Sequence, residues 1–260
     1  MPALRTKSGR SDRVAISNPV AAAATGLVIA TRSDLPDFVR NVGILGREAY
    51  RFDGSDPRFT GQMMQGPLNP GDLPFGGNHW VEEYAAIRSG NDLLRVIGTA
   101  GALTAEEQSA VTGYVHTIQA YNFLLVLDAH TQDSIPIDVG TDVTAPVAPF
   151  RSQADAYAHV EALLDGAVTE LQAGGAAFPF SLPGEFTGFN TPGTFVLFNR
   201  ALRAREAITG VTSLERTPAS ILYNTIPCAN RMLAITPIRK RRFSMTVYPN
   251  TQFSSRIANG

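Results

Sequence analysis

The chain has 260 residues, 44% of them hydrophobic and 17% charged, enough apolar material for one large core or two small ones and too much for a disordered chain. A net charge of −1 hides an asymmetry: residues 14–210 carry 11 Arg, no Lys and 21 acidic residues, while residues 211–260 carry seven basic residues and one acid. The acidic body argues against a nucleic-acid role, the single Cys228 excludes an internal disulfide or Cys-based metal cluster, and no apolar run reaches the ~18 residues of a membrane helix.

In chain order, residues 1–17 read as a polar, flexible lead-in without the apolar middle of a signal peptide. Pro19 to Thr31 is Ala-rich and suits a first buried helix. Ser33 can cap a second helix, in which Leu35, Phe38, Val39, Val42 and Leu45 keep helical spacing and so predict its inward face. Gly43 and Gly46 weaken that helix or let a neighbour approach.

Residues 50–79 hold neither helical nor strand period and are rich in Gly, Pro, Asp and Asn. A structureless segment of this length inside a compact domain is uncommon and is more often functional than not. Its Tyr50, Arg51, Phe52, Arg58, Phe75 and His79 are the candidate ligand-binding residues, because aromatic and Arg side chains on a loop suit a gripping surface. The alternative is that these aromatics merely pin the loop to the helices.

Trp80 to His130 predicts two long helices packed back to back, the centre of an all-α domain. Trp80, Tyr84, Ile87 and Leu94 lie close to one stripe of the first, so Trp80 reads as core. Thr104 and Glu107 fit a capping box at the start of the second. Val111, Tyr114, Ile118, Tyr121 and Leu125 give that helix one stripe, and Val115, Phe123, Leu124 and Leu127 widen it, so it must be covered on two sides.

Another loop covers 131–152. Ser152 and Asp155 then signal a helix start, and Tyr157, Val160, Leu163, Leu164, Ala167, Val168 and Leu171 form an amphipathic helix closed by Gly174-Gly175. A Phe/Gly/Pro-rich loop spans 176–192. Thr191-Pro192 opens the last helix, with Phe195, Phe198 and Leu202 inward and Ile208 the next candidate. Beyond Gly210 the periodicity fades and Arg239-Lys240-Arg241-Arg242 appears. That basic tail, 211–260, reads as solvated and poorly ordered, with an interaction patch, or a stretch foreign to the domain, as alternatives.

No catalytic constellation is present. His79, His116, His130 and His159 show no metal-ligand spacing and read as satisfied or solvated, and no nucleophile-elbow, P-loop or dinucleotide fingerprint occurs. Glu82-Glu83 and Glu106-Glu107 are neighbours on helices, about 100° apart, and cannot face one substrate together. The residues imply neither an enzyme nor a cofactor nor a bound metal.

Several stretches resemble the SusD/RagB family of outer-membrane nutrient-binding lipoproteins. Trp80, Tyr84, Ile87, Asn91 and Leu94 match its W-x3-Y-x2-I-x3-N-x2-L helix. Residues 113–127 sit where the family has a long helix ahead of a short Pro-containing segment, here Pro136-Ile137. Arg151, Ser152, Tyr157, Val160, Leu164, Asp165, Ala167 and Leu171 are similar to its R-x-S helix, and 195–207 to the Ala/Arg-rich helix that follows. The coverage is about 19–210. The family's Glu-Ala…Arg-Ala signature is replaced by Tyr114-Val115 and Gln119-Ala120, its lipidation Cys is missing, and its members are about twice as long.

The resemblance implies a right-handed, tetratricopeptide-like helical array with long irregular loops, spanning 18–210 as the first part of a longer, here truncated, domain. It implies a non-enzymatic protein on the outer leaflet of the cell outer membrane. Such a protein captures a glycan or peptide nutrient and passes it to a SusC-like TonB-dependent transporter. A secreted relative would carry a signal peptide, so a trimmed or wrongly started chain is expected. The alternative function is a helical-repeat interaction scaffold without a small-molecule ligand.

Overall fold

The computed structural model describes residues 8–69, 72, 78–99, 103–130, 134–142 and 144–214. The chain divides into two units, Met1–Tyr223 and Asn224–Gly260, and every described residue belongs to the first. The basic tail beyond 214 and the candidate Phe75 lie outside the described residues.

The fold is all-α. Six helices follow one another: α1 (Ser8–Thr31), α2 (Leu35–Leu45), α3 (Asn78–Thr99), α4 (Ala105–Ala129), α5 (Gln153–Ala173) and α6 (Pro192–Leu214). Two-residue strands β1 (Ile135–Pro136) and β2 (Phe150–Arg151) pair antiparallel, with Ile135 opposite Arg151, inside the segment the sequence reads as plain loop.

Helix α4 is the centre. It packs against α1, α3, α5 and α6. The Thr104 hydroxyl accepts from the Glu107 amide at 3.2 Å and the Glu107 carboxylate accepts from the Thr104 amide at 2.8 Å, the reciprocal box the sequence predicts. Val111, Tyr114, Val115 and Ile118 face one core cluster with Val20, Ala24 and Leu27 of α1, Leu93 of α3 and Phe195 of α6. Phe123, Leu124, Val126 and Leu127 face a second with Ile87, Ile135, Tyr157, Val160 and Leu164. The predicted cover on two sides is thus present, each buried Val, Leu or Phe contributing about 1.5–3 kcal/mol of apolar burial.

Several buried polar groups on α4 are tied to neighbouring helices, since an unpaired one costs about 1–3 kcal/mol; Asn122 Oδ1 is left without a hydrogen-bond partner. The Tyr114 hydroxyl donates to the Ala24 carbonyl at 2.7 Å, and the Asn122 amide to the Thr31 hydroxyl at 3.0 Å. Asn199 of α6 donates to the Thr117 hydroxyl at 2.9 Å.

Two glycines set how closely α5 approaches α4. A Cβ on Gly113 would sit 2.7 Å from Leu171 Cγ and 2.9 Å from the Ala167 carbonyl oxygen, and one on Gly174 would sit 2.8 Å from Ala110 Cα. Gly175, just past the helix, takes φ +71°, the left-handed stop the Gly-Gly pair predicts. At the other end Ser152 caps α5 by accepting from the Asp155 amide at 3.2 Å.

Four expectations are corrected. Helix α1 begins at Ser8, so residues 8–17 of the supposed lead-in are helical; Pro19, which reads as a first-turn residue, lies inside the helix instead. Helix α2 is rotated from its predicted face: Asn41 and Ile44 are buried, while Val39, Val42 and Leu45 are exposed. Asp34, not Ser33, is its N-cap residue, and its carboxylate bonds a distant histidine, making no capping bond. Ile208 of α6 is 62% exposed, whereas Phe195 and Leu202 are buried as predicted.

Candidate functional site

The segment ahead of α3 is better organised than its composition implies. Phe59–Met64 form a π-helical turn, and Phe59 and Met63 bury themselves against Ile44 of α2. Phe59 is also the base for two guanidinium groups, with Cζ of Arg51 3.8 Å and Cζ of Arg40 5.1 Å from its ring centroid.

Arg51 and Arg58 are both held by local carboxylates. Arg51 donates to Asp53 at 2.6 Å, and Asp53 also accepts from the Ser55 amide at 2.9 Å. Arg58 donates to both oxygens of Asp56 at 2.9 Å and lies 3.4 Å from Asp72. The Arg51 hydrogen bond, then the Ser55 amide, hold the Asp53 carboxyl below its usual range, and Arg58 does the same for Asp56. Surface pairs of this kind add little stability individually, but they fix the path of the chain between Tyr50 and Arg58.

Arg51 turns toward Phe59 while its neighbours face water. Tyr50 is 62% exposed and Phe52 is 78% exposed. Of the predicted ligand residues that are described, these two are open and uncommitted. Arg51 and Arg58 are partly open and intramolecularly paired.

His79 is not on this surface. It is 6% exposed, its Nδ1 donates to the Asp34 carboxylate, and its Nε2 accepts from Asn41 at 3.1 Å. Phe38 meets its ring edge-on at 5.2 Å. The sequence puts His79 at the junction of the loop and the helix running to about Val96 and reads it as a ligand residue; in the fold it stands in the first turn of α3, a buried strut between α2 and α3. Nearby Glu83 is also buried, and its Oε2 has no hydrogen-bond partner. Burial, reinforced by Asp34 and Glu82, pushes its carboxyl up to about 7.

Trp80 is half-buried in an aromatic group that joins α3 and α4 to the β1–β2 pair. It lies 4.9 Å from Tyr84 and 5.8 Å from Phe150, the latter stacked at 21°. The Tyr84 hydroxyl donates to the Pro136 carbonyl at 2.7 Å.

A half-open cavity of about 350 Å³ lies between α3, α4, α5 and residues 137–140. Asn91, His116, Gln119, Asp138 and His159 give it polar walls, with Phe123 and Leu163 among its apolar ones. Sequence reading missed it because its polar groups come from four separate segments, each unremarkable at its own position. The one available signal was His116 and Gln119, three apart on α4. Among the described residues no group of three or more His, Cys, Asp or Glu could hold a metal ion, and no helix is long and apolar enough to cross a membrane.

No family model, curated protein or solved structure matches the chain. The resemblance to the SusD/RagB family therefore rests on the residues quoted for it.

Proposed function

We propose that the chain is a SusD-like, non-enzymatic binding protein whose helices form a tetratricopeptide-like array. It captures a glycan at the outer face of the outer membrane for uptake through a SusC-like TonB-dependent transporter. The observation that carries the reading is the pair of open rings, Tyr50 and Phe52, on a segment braced by Phe59 and by the Arg51–Asp53 and Arg58–Asp56 pairs. Sugar rings offer apolar C–H faces to stack on aromatics and hydroxyls to bond with Arg and Asp. Bracing the segment beforehand lowers the ordering cost of binding. Calorimetric titration with a panel of neutral oligosaccharides tests this, and saturable binding is expected. Partner choice is tested by affinity purification from the native membrane, where recovery of an outer-membrane barrel is expected.

One observation favours the scaffold reading. Val39, Val42 and Leu45 leave an apolar strip exposed along α2, the kind of face that takes a peptide or a second helix. Recovery with soluble partners and no barrel, together with no oligosaccharide binding, would favour it.

A further inference from the structure

We infer that the cavity between α3, α4 and α5 is a second binding site, shaped for one neutral sugar ring. The ligand class rests on the glycan reading above; the site is separate from Tyr50 and Phe52.

The polar groups of the cavity are pre-set as acceptors. Gln119, 3% exposed, donates through Nε2 to the Ile87 carbonyl at 2.9 Å and to Asn91 Oδ1 at 2.7 Å. Asn91 in turn donates to the Val139 carbonyl at 2.6 Å. That chain of bonds consumes the Gln119 amide hydrogens and leaves Oε1 to accept. His116 is tied through Nδ1 to Glu170 at 2.8 Å, which leaves Nε2 outside that bond and available to a ligand. Asp138 adds a carboxylate, one oxygen of which takes a bond from Arg151 at 3.1 Å.

His159 completes the set. It meets Phe123 edge-on at 5.1 Å and has no hydrogen-bond partner among the described residues. Burial lowers its basicity against the pull of Asp138, so the ring is neutral at pH 7 and can both donate and accept. Acceptors that outnumber donors call for a ligand rich in O–H or N–H groups. An anion would meet Asp138 with no cation facing it except Arg151 at the rim. An ammonium group would need a free carboxylate, yet Asp138 is shared with Arg151 and Glu170 with His116. A polyhydroxy ring satisfies the acceptors without a net charge, and its C–H face matches Phe123 and Leu163. The volume of about 350 Å³ sits at the small end of ligand pockets.

The test is NMR titration of the full chain with glucose, galactose, mannose, xylose and N-acetylglucosamine, with simple primary amines and acetate as comparators. One of the sugars is expected to shift the ring signals of His116 and His159. Leu163→Trp, which fills the half-exposed edge of the cavity, is expected to weaken that binding at least tenfold with an unchanged Tm. The Tyr50→Ala/Phe52→Ala double variant is expected to retain it. Silence of both histidines toward every sugar, binding of the amine or acetate in their place, or full retention in Leu163→Trp would each overturn the proposal. A wild type that binds the monosaccharide but no oligosaccharide supports the cavity and overturns the role of the loop.

Discussion

Helix α4 and the segment 50–69 are built from similar residue types and put them to opposite use. Both mix aromatic side chains with polar ones. On α4 every aromatic is at least half-buried, and the innermost polar groups are bonded across to other helices, as Tyr114 is to α1. On the loop one aromatic, Phe59, is buried as an anchor, and Tyr50 and Phe52 are left in water. The difference is covering. Four helices lie on α4, whereas the π-helical turn of the loop packs against α2, and the rings of Tyr50 and Phe52 are left uncovered. What remains is available for a ligand.

His79 offers the largest way to sharpen that contrast, because it sits next to the loop in sequence and in the core in space. His79→Ala leaves the buried Asp34 carboxylate without its hydrogen-bond partner, and a loss of about 1.5–3 kcal/mol is expected. Urea unfolding checks it. A variant that keeps its stability and loses only ligand affinity would move His79 back to the binding surface.

Glu83, in the same buried region, supplies a pH effect. Its folded pKa of about 7 lies above its ordinary 4.5. Between those values the unfolded chain releases a proton that the folded chain keeps, so stability is full below pH 4.5 and is lost as pH rises to about 7. The loss is on the order of 3 kcal/mol at most. Glu83→Gln is therefore expected to raise Tm at pH 8 by several degrees and to change it little at pH 4. Equal shifts at both pH values would contradict the buried, unpartnered placement.

Gly113→Ala probes the α4–α5 contact. Helix propensity favours Ala by about 1 kcal/mol, but the added Cβ would meet a backbone carbonyl at 2.9 Å. Overpacking of this kind costs about 1–3 kcal/mol, and a net loss of stability is expected in thermal unfolding. A gain would mean that α5 can move away freely.

The starts of α4, α5 and α6 and the stop of α5 were the most legible part of the fold, because their signals are local, whereas the starts of α1 and α2 were misplaced. Thr104 with Glu107, Ser152 with Asp155, Thr191-Pro192 and Gly174-Gly175 all act where the sequence puts them. The buried stripe of α5 was legible for the same reason. The orientation of α2 was not. Its apolar residues point one way, but a bond chain from Arg40 through Asn41 and His79 to Asp34 turns Asn41 inward, and that chain joins residues 38 and 45 positions apart. The π-helical turn has no sequence signature, and its anchoring by Ile44 is a tertiary fact. At the candidate site, the exposed aromatics Tyr50 and Phe52 were legible as a loop surface, whereas the ion pairs that brace them, and the four-segment cavity, depend on folding.

The central claim is that Tyr50 and Phe52 serve binding and contribute nothing to the core. The most direct measurement takes the Tyr50→Ala/Phe52→Ala double variant and records its Tm and its affinity for the best-bound oligosaccharide side by side. The account predicts stability within about 0.5 kcal/mol of wild type, as for exposed positions, and affinity reduced at least tenfold, about 1.4 kcal/mol. Unchanged affinity, or a loss of stability that tracks the loss of binding, would contradict it.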